Sequence, residues 1–221
     1  MSVTAALPLA GVLRYGALGL PLAFAALPIY VHVPALYAGQ AGLSLSLVGL
    51  ILLATRIADA IADPLIGWAS DRFLTRRGLI ALALPVLAGG LAGLLAPPAG
   101  AGGLWLATLL VLVSFAYSVA TINYAAWGAE LGHDADSRTR LVASREGFGL
   151  IGVMLAAALP AVLASEMRSG LGRVGWLFVP LVAIAALLSL VGLPPGLRQA
   201  ARPELPWPAL RGALRERAFA A

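Results

Sequence analysis

Six apolar runs occupy most of this 221-residue chain, at about 14–37, 45–70, 79–97, 104–129, 142–165 and 175–194. About 20 predominantly apolar residues carry a helix across a hydrocarbon core roughly 30 Å thick, and a helix satisfies its own backbone hydrogen bonds there. Each run is of that order, and runs such as LIALALPVLAGGLAGLLA (79–96) are continuous, without the alternation of polar and apolar residues that a β-barrel strand needs. Charged residues make up 11% of the chain, against about a quarter in a soluble domain. The expected fold is therefore an all-α membrane protein of six transmembrane helices.

Charge gives the topology. The chain has no lysine and no cysteine, so arginine carries all fixed side-chain positive charge and there is no disulfide, thiolate metal site or redox chemistry to argue from. Arg14, then Arg72, Arg76 and Arg77, then Arg138 and Arg140, then Arg198, Arg202, Arg211, Arg215 and Arg217 fall in alternate polar segments. The intervening loops hold only Arg168 and Arg173. The positive-inside rule places both termini in the cytoplasm of a cell whose inner (plasma) membrane holds the protein. The net charge of +5 thus reports topology and gives no case for a nucleic-acid partner. The N-terminus lacks the early positive charge of a cleaved signal, so the first span is expected to direct its own insertion. The longer, charged segment 130–141 divides the spans three plus three, as in the repeats of secondary transporters. Residues 1–195 form the expected bundle. Residues 196–221, with Trp207 between Pro206 and Pro208, read as a cytoplasmic linker or interfacial segment.

The second run contains RIADAIADPLIGWASDR (56–72), which places Arg56, Asp59 and Asp63 on one face of a helix. Three ionised groups near mid-span cost on the order of 8–10 kcal/mol. About ten Leu, Ile and Val residues return only roughly 3–6 kcal/mol, so this face must turn to protein or a wet cavity. Pro64 frees the carbonyl of Ala60 within the same turn. Two carboxylates and a carbonyl make a hard-oxygen environment for Na⁺, or a proton-accepting pair; a charge cluster that only fixes packing is the alternative. Asp59, Asp63, Gly67 and Asp71 at intervals of four also resemble the carboxylate ladder of CDP-alcohol phosphotransferases. That pattern needs a glycine after the second aspartate and a further aspartate where this chain has Thr75.

The following loop, GWASDRFLTRRG, resembles the loop between spans two and three throughout the major facilitator superfamily. There the aspartate and arginines latch helix ends, which implies a conformational role for Gly67, Asp71, Arg72, Arg76 and Arg77. In NYAAWGAELGHDADSRTRLVASR (123–145), Asn123, Trp127 and Glu130 share one side of the fourth span, and Arg145 opens the fifth. Together these stretches resemble the glycoside–pentoside–hexuronide:cation symporters, the melibiose-permease family. The resemblance implies a twelve-span major facilitator that couples sugar uptake to Na⁺, Li⁺ or H⁺. On that analogy Asp59 and Asp63 hold the coupling ion beside Arg56, and Asn123, Trp127 and Arg145 contact the solute. Ala23, Asn123 and Ala62 stand where melibiose carriers have an acid, an acid and an asparagine. Galactoside specificity is therefore not implied, Na⁺ and H⁺ both stay open, and non-sugar solutes are carried within the family.

The resemblance covers 14–194, one half of such a carrier. The expectation is an N-terminal half that needs a six-span C-terminal half, in cis or in trans, and does not transport alone. A facilitator or exporter whose charges on the second span are purely conformational, and a non-transporting assembly subunit, are the other readings. No phosphate loop, HExxH or catalytic-triad pattern points to an enzyme, and no cofactor is implied beyond the coupling ion. Gly89, Gly93 and the glycines of 147–152 are expected to let helices approach closely. His32 is expected at the membrane interface and His133 in solvent.

Overall fold

The computed structural model describes residues 7–39, 42–72 and 75–194, so the Pro206–Trp207–Pro208 segment lies outside the described residues. Six long helices account for nearly all of it, and the described residues contain no strand. We number them α1 (Leu9–Gly39), α2 (Leu45–Arg72), α3 (Arg76–Leu95), α4 (Gly103–Leu131), α5 (Ala135–Leu163) and α6 (Met167–Val191), all long and apolar enough to cross a membrane. The helices overrun the apolar runs, most visibly at the starts of α5 and α6. Asp134 caps α5 by accepting from the Ser137 amide at 2.7 Å, so a polar first turn precedes the apolar part. In α6 the helix begins with Met167 and Arg168, outside the apolar run. Hydropathy finds the lipid-matched length of a helix, whereas capping decides where it starts. Thr75 caps α3 in the same way, accepting from the Gly78 amide at 3.1 Å.

α1 is irregular. It contains α-helical stretches on either side of Leu18 and a π-helical turn at Pro28–His32, closed by the Val33 amide donating to the Pro28 carbonyl. Pro64, Pro85, Pro160 and Pro180 lie inside helices that continue through them.

α2 packs chiefly on α4, α5 chiefly on α1, and α3 on both α4 and α6. Of these pairings, α2 with α4 and α5 with α1 interchange when each helix is replaced by the one three places along the chain. The buried side chains form one core, with Tyr15, Phe24, Tyr37, Trp127 and Phe178 as its largest members. Phe24 and Phe178 stack at 5.4 Å between ring centroids. In membrane helices tight packing replaces the hydrophobic drive, and Gly152 illustrates it. A Cβ there would fall 2.2 Å from the Leu20 carbonyl of α1. Of the other glycines expected to pack, Gly93 and Gly149 lie against Leu109 and Ala23, but a Cβ at Gly89 or Gly147 would meet open space. Those two give no close approach, because each faces away from its neighbouring helices.

One end of the bundle gathers the start of α1, the end of α2, the start of α3, the α4–α5 turn and the end of α6. It holds Arg14 and Arg77 in contacts with the residues just beyond α6 and Arg76 in contact with α4, and we call it the arginine-rich end. His133, in the α4–α5 turn, is exposed.

Candidate functional site

Asp59 lies on the inward face of α2, with Asp63 and Arg56 at the edge of that face, where the Arg56 side chain is 43% exposed. Thr55, Asp59, Ile66 and Ser70 recur at intervals of four, seven and four residues, on one side of the helix. Thr55, Ile66 and Ser70 are buried, and the Asp59 side chain is 18% exposed. The opposite side carries Leu50, Leu53, Ile57, Ile61 and Leu65, all exposed. α2 therefore turns Thr55, Asp59 and Ser70 toward the bundle and its apolar side outward.

At mid-helix the Arg56 guanidinium makes three contacts with two residues. Its Nη1 donates to the Tyr30 hydroxyl at 3.1 Å, its Cζ lies 4.2 Å from the Tyr30 ring centroid, and Nη1 is 3.5 Å from Asp59 Oδ2. One turn further, Asp63 Oδ1 is buried and has no hydrogen-bond partner among the described residues. Arg56 and Asp59, expected together from spacing, meet here, Asp63 lies one turn along the same helix, and Tyr30 reaches Arg56 from the π-turn of α1. One guanidinium against two carboxylates leaves the group a single negative charge, which one monovalent cation or one proton would match.

The second constellation sits at the arginine-rich end. Arg76, at the first turn of α3, pairs with Asp71 at the end of α2 and donates from Nε to Glu130 Oε1 of α4 at 3.1 Å. Its Nη1 donates to Asn123 Oδ1 at 3.3 Å. The Asn123 amide nitrogen donates to Ser70 Oγ at 3.1 Å and to the Val119 carbonyl at 2.8 Å. Asn123, expected at the solute site, is thus fully buried and engaged in joining α2, α3 and α4. Arg72 lies over the Trp68 ring, 4.8 Å from its centroid. Gly67 makes no close approach to another helix.

Trp127 is also fully buried. Its indole N–H donates to the Pro194 carbonyl at 3.1 Å, its ring meets Tyr15 edge-on at 5.8 Å, and Arg77 stands 6.0 Å above it. Arg77 Nη1 donates to the Leu193 carbonyl at 2.8 Å, and Arg14 Nη1 reaches the Gly192 carbonyl at 3.5 Å. Three successive carbonyls beyond α6 are therefore held by donors from α1, α3 and α4, two of them cations placed where a helix C-terminus favours positive charge. Beside this clamp, Tyr15 and Tyr124 exchange hydrogen bonds: each hydroxyl donates to the other's backbone carbonyl, at 3.0 and 2.6 Å. Arg145 donates to Glu146 at 3.0 and 2.6 Å, and its side chain remains 31% exposed.

The residues expected to touch solute therefore divide between a latch (Asn123), a clamp (Trp127) and a partly open ion pair (Arg145). The roles of Tyr15, Tyr30 and Ser70 went unread in the sequence. Tyr15 was discoverable, since a buried phenol seeks a hydrogen-bond partner. The backbone carbonyls of 192–194 have no residue signature at all.

A family model described as MFS/sugar transport protein matches residues 12–215. A protein of Synechocystis sp. described as an uncharacterized symporter is 30% identical over 168 residues, covering 67% of this chain and 30% of that relative. The chain spans about a third of the length of the curated relative it matches.

Proposed function

We propose that this chain, which belongs to the MFS/sugar transport protein family, forms one six-helix half of a cation-coupled symporter for a sugar or related small solute. Membership makes it a multi-pass transport protein and displaces the phosphotransferase reading. What supports the coupling is Arg56 held between Tyr30 and Asp59 where α1 meets α2, with a buried, unpartnered carboxylate oxygen of Asp63 one turn along. Asp59 and Asp63 hold Na⁺ or H⁺, and the solute is taken at a midplane site by alternating access. Arg145 offers its side chain to solute in the conformation described. Asn123 and Trp127 reach solute only in a state where the latch (Asp71, Arg72, Arg76, Arg77, with Gly67 preceding it) and the clamp have opened. The exposed apolar sides of α2 and α5, the helices buried over only 11% and 22% of their most apolar windows, receive the second six-helix half. Both termini face the cytoplasm, and the inner membrane holds the assembly.

Solute uptake by cells expressing the chain with a second six-helix half tests this reading. Uptake stimulated by Na⁺ or by an inward proton gradient is expected, with the stimulated part falling at least about tenfold in Asp59→Asn, equivalent to 1.4 kcal/mol or more. No uptake is expected from the chain alone. Uptake indifferent to both cations and unchanged in Asp59→Asn would instead support a facilitator, with the Arg56–Asp59 pair serving packing.

A further inference from the structure

We propose that Tyr30 is a positioning residue for the coupling cation: it draws the Arg56 guanidinium off Asp59 and so sets how tightly a monovalent cation binds between Asp59 and Asp63. The inference rests on the cation-site reading above and deepens it.

Three observations meet at Tyr30. A charge-assisted N–H···O contact between a guanidinium and a carboxylate settles at about 2.7–2.9 Å when nothing competes, yet Arg56 Nη1 stands 3.5 Å from Asp59 Oδ2. The same nitrogen donates to the Tyr30 hydroxyl at the shorter distance of 3.1 Å, and the guanidinium lies 4.2 Å from the ring centroid, within cation–π range. Tyr30 thus holds Arg56 by two attractions at once, both pulling toward α1. Second, Tyr30 stands in the π-helical turn Pro28–His32, an irregularity that alters where side chains point and often marks working sites. Third, Asp63 Oδ1 is buried without a hydrogen-bond partner among the described residues, so Arg56 does not satisfy this oxygen of the second carboxylate. A guanidinium fully closed on Asp59 would compete with an incoming cation for the same oxygens and repel it. Held by Tyr30, it leaves Asp59 available while still limiting the negative charge of the group.

The test is a double-mutant cycle read as cation affinity. The chain in lipid nanodiscs is titrated with NaCl and with LiCl against choline chloride, and separately with pH in choline chloride, following the thermal unfolding midpoint. Wild type, Tyr30→Leu, Tyr30→Phe, Arg56→Gln and the Tyr30→Leu/Arg56→Gln double variant are compared. Tyr30→Leu is expected to weaken binding of the responding cation about tenfold, because Arg56 closes on Asp59. Tyr30→Phe keeps the ring face and loses less. In the Arg56→Gln background, Tyr30→Leu is expected to change affinity by less than about twofold, since the residue acts through Arg56. An unchanged affinity in Tyr30→Leu, or an equal loss with and without Arg56, overturns the role of Tyr30 and leaves the cation site standing. A wild-type chain indifferent to Na⁺, Li⁺ and pH overturns the site and the proposal together.

Discussion

α2 and α3 are consecutive helices, both hydropathic enough to span a membrane, and they behave as opposites. In the most apolar window of α3, 56% of residues are buried in the bundle; in that of α2, 11% are. α3 carries its arginines at its first turn and is apolar through the span, whereas α2 carries Arg56, Asp59 and Asp63 near mid-span. The difference separates a helix that holds the half-bundle together from one that holds charge and leaves its apolar side for another surface. Mean hydropathy does not distinguish them. What does is which face the polar atoms occupy, and in α2 that is the inner one.

Substitutions at the two helices sharpen or break this contrast. The largest effect is expected at the first turn of α3. Arg76 and Glu130 are 15% and 12% exposed at the side chain, and Arg76→Met strips the counter-charge from a largely buried carboxylate. A loss of about 3–5 kcal/mol is expected in unfolding measured in mild detergent. Next comes a paired test of packing. Leu91→Ala in α3, at a fully buried position, should cost about 1–3 kcal/mol. That is the packing part of the usual core penalty, because lipid matches leucine in polarity. Ile57→Ala on the exposed side of α2 should change stability of the isolated chain by less than about 0.5 kcal/mol. Equal costs would contradict the division of labour.

A smaller effect is expected at the clamp. Trp127→Phe keeps a ring in the core but loses the hydrogen bond to the Pro194 carbonyl, worth about 1 kcal/mol. Faster amide exchange just beyond α6 is the accompanying readout. The smallest effect lies outside both helices and serves as a control. The Ser137 hydrogen bonds hold the Asp134 carboxyl below its usual range. A depressed carboxylate contributes stability above its unfolded pKa, about 3.9, and loses it as pH falls through the lower folded value. Protection of the Ser137 amide should therefore decline only below about pH 4, and Asp134→Ser should remove that pH dependence.

Much of this architecture was legible in the sequence because it follows from the solvent. Six helices, and a polar face on α2 that must turn inward, follow from length and from the cost of charge in hydrocarbon. The spacing of Asn123, Trp127 and Glu130 correctly placed them on one side of α4, where Arg76 and Arg77 meet them. What they do there was not legible. Asn123 and Trp127 are engaged by Ser70 Oγ and the Pro194 carbonyl, partners 53 and 67 residues distant in sequence, and one of these is a backbone atom that any residue would supply. Tyr30 was missed for a related reason. Its position depends on a π-turn in α1, a local change of pitch that residue periodicity, fixed at about 3.6 per turn, passes over.

The central claim is that the inward face of α2 binds a coupling cation within this half alone. Thermal unfolding of the chain in nanodiscs, with Na⁺, Li⁺ or added protons against choline, tests it most directly when wild type is run beside Asp59→Asn. The account predicts that one of these cations raises the wild-type midpoint, corresponding to about 2.7 kcal/mol at a hundredfold excess over its dissociation constant, and that the rise disappears in Asp59→Asn. A midpoint indifferent to every cation, or a rise that survives loss of the Asp59 carboxylate, would contradict it.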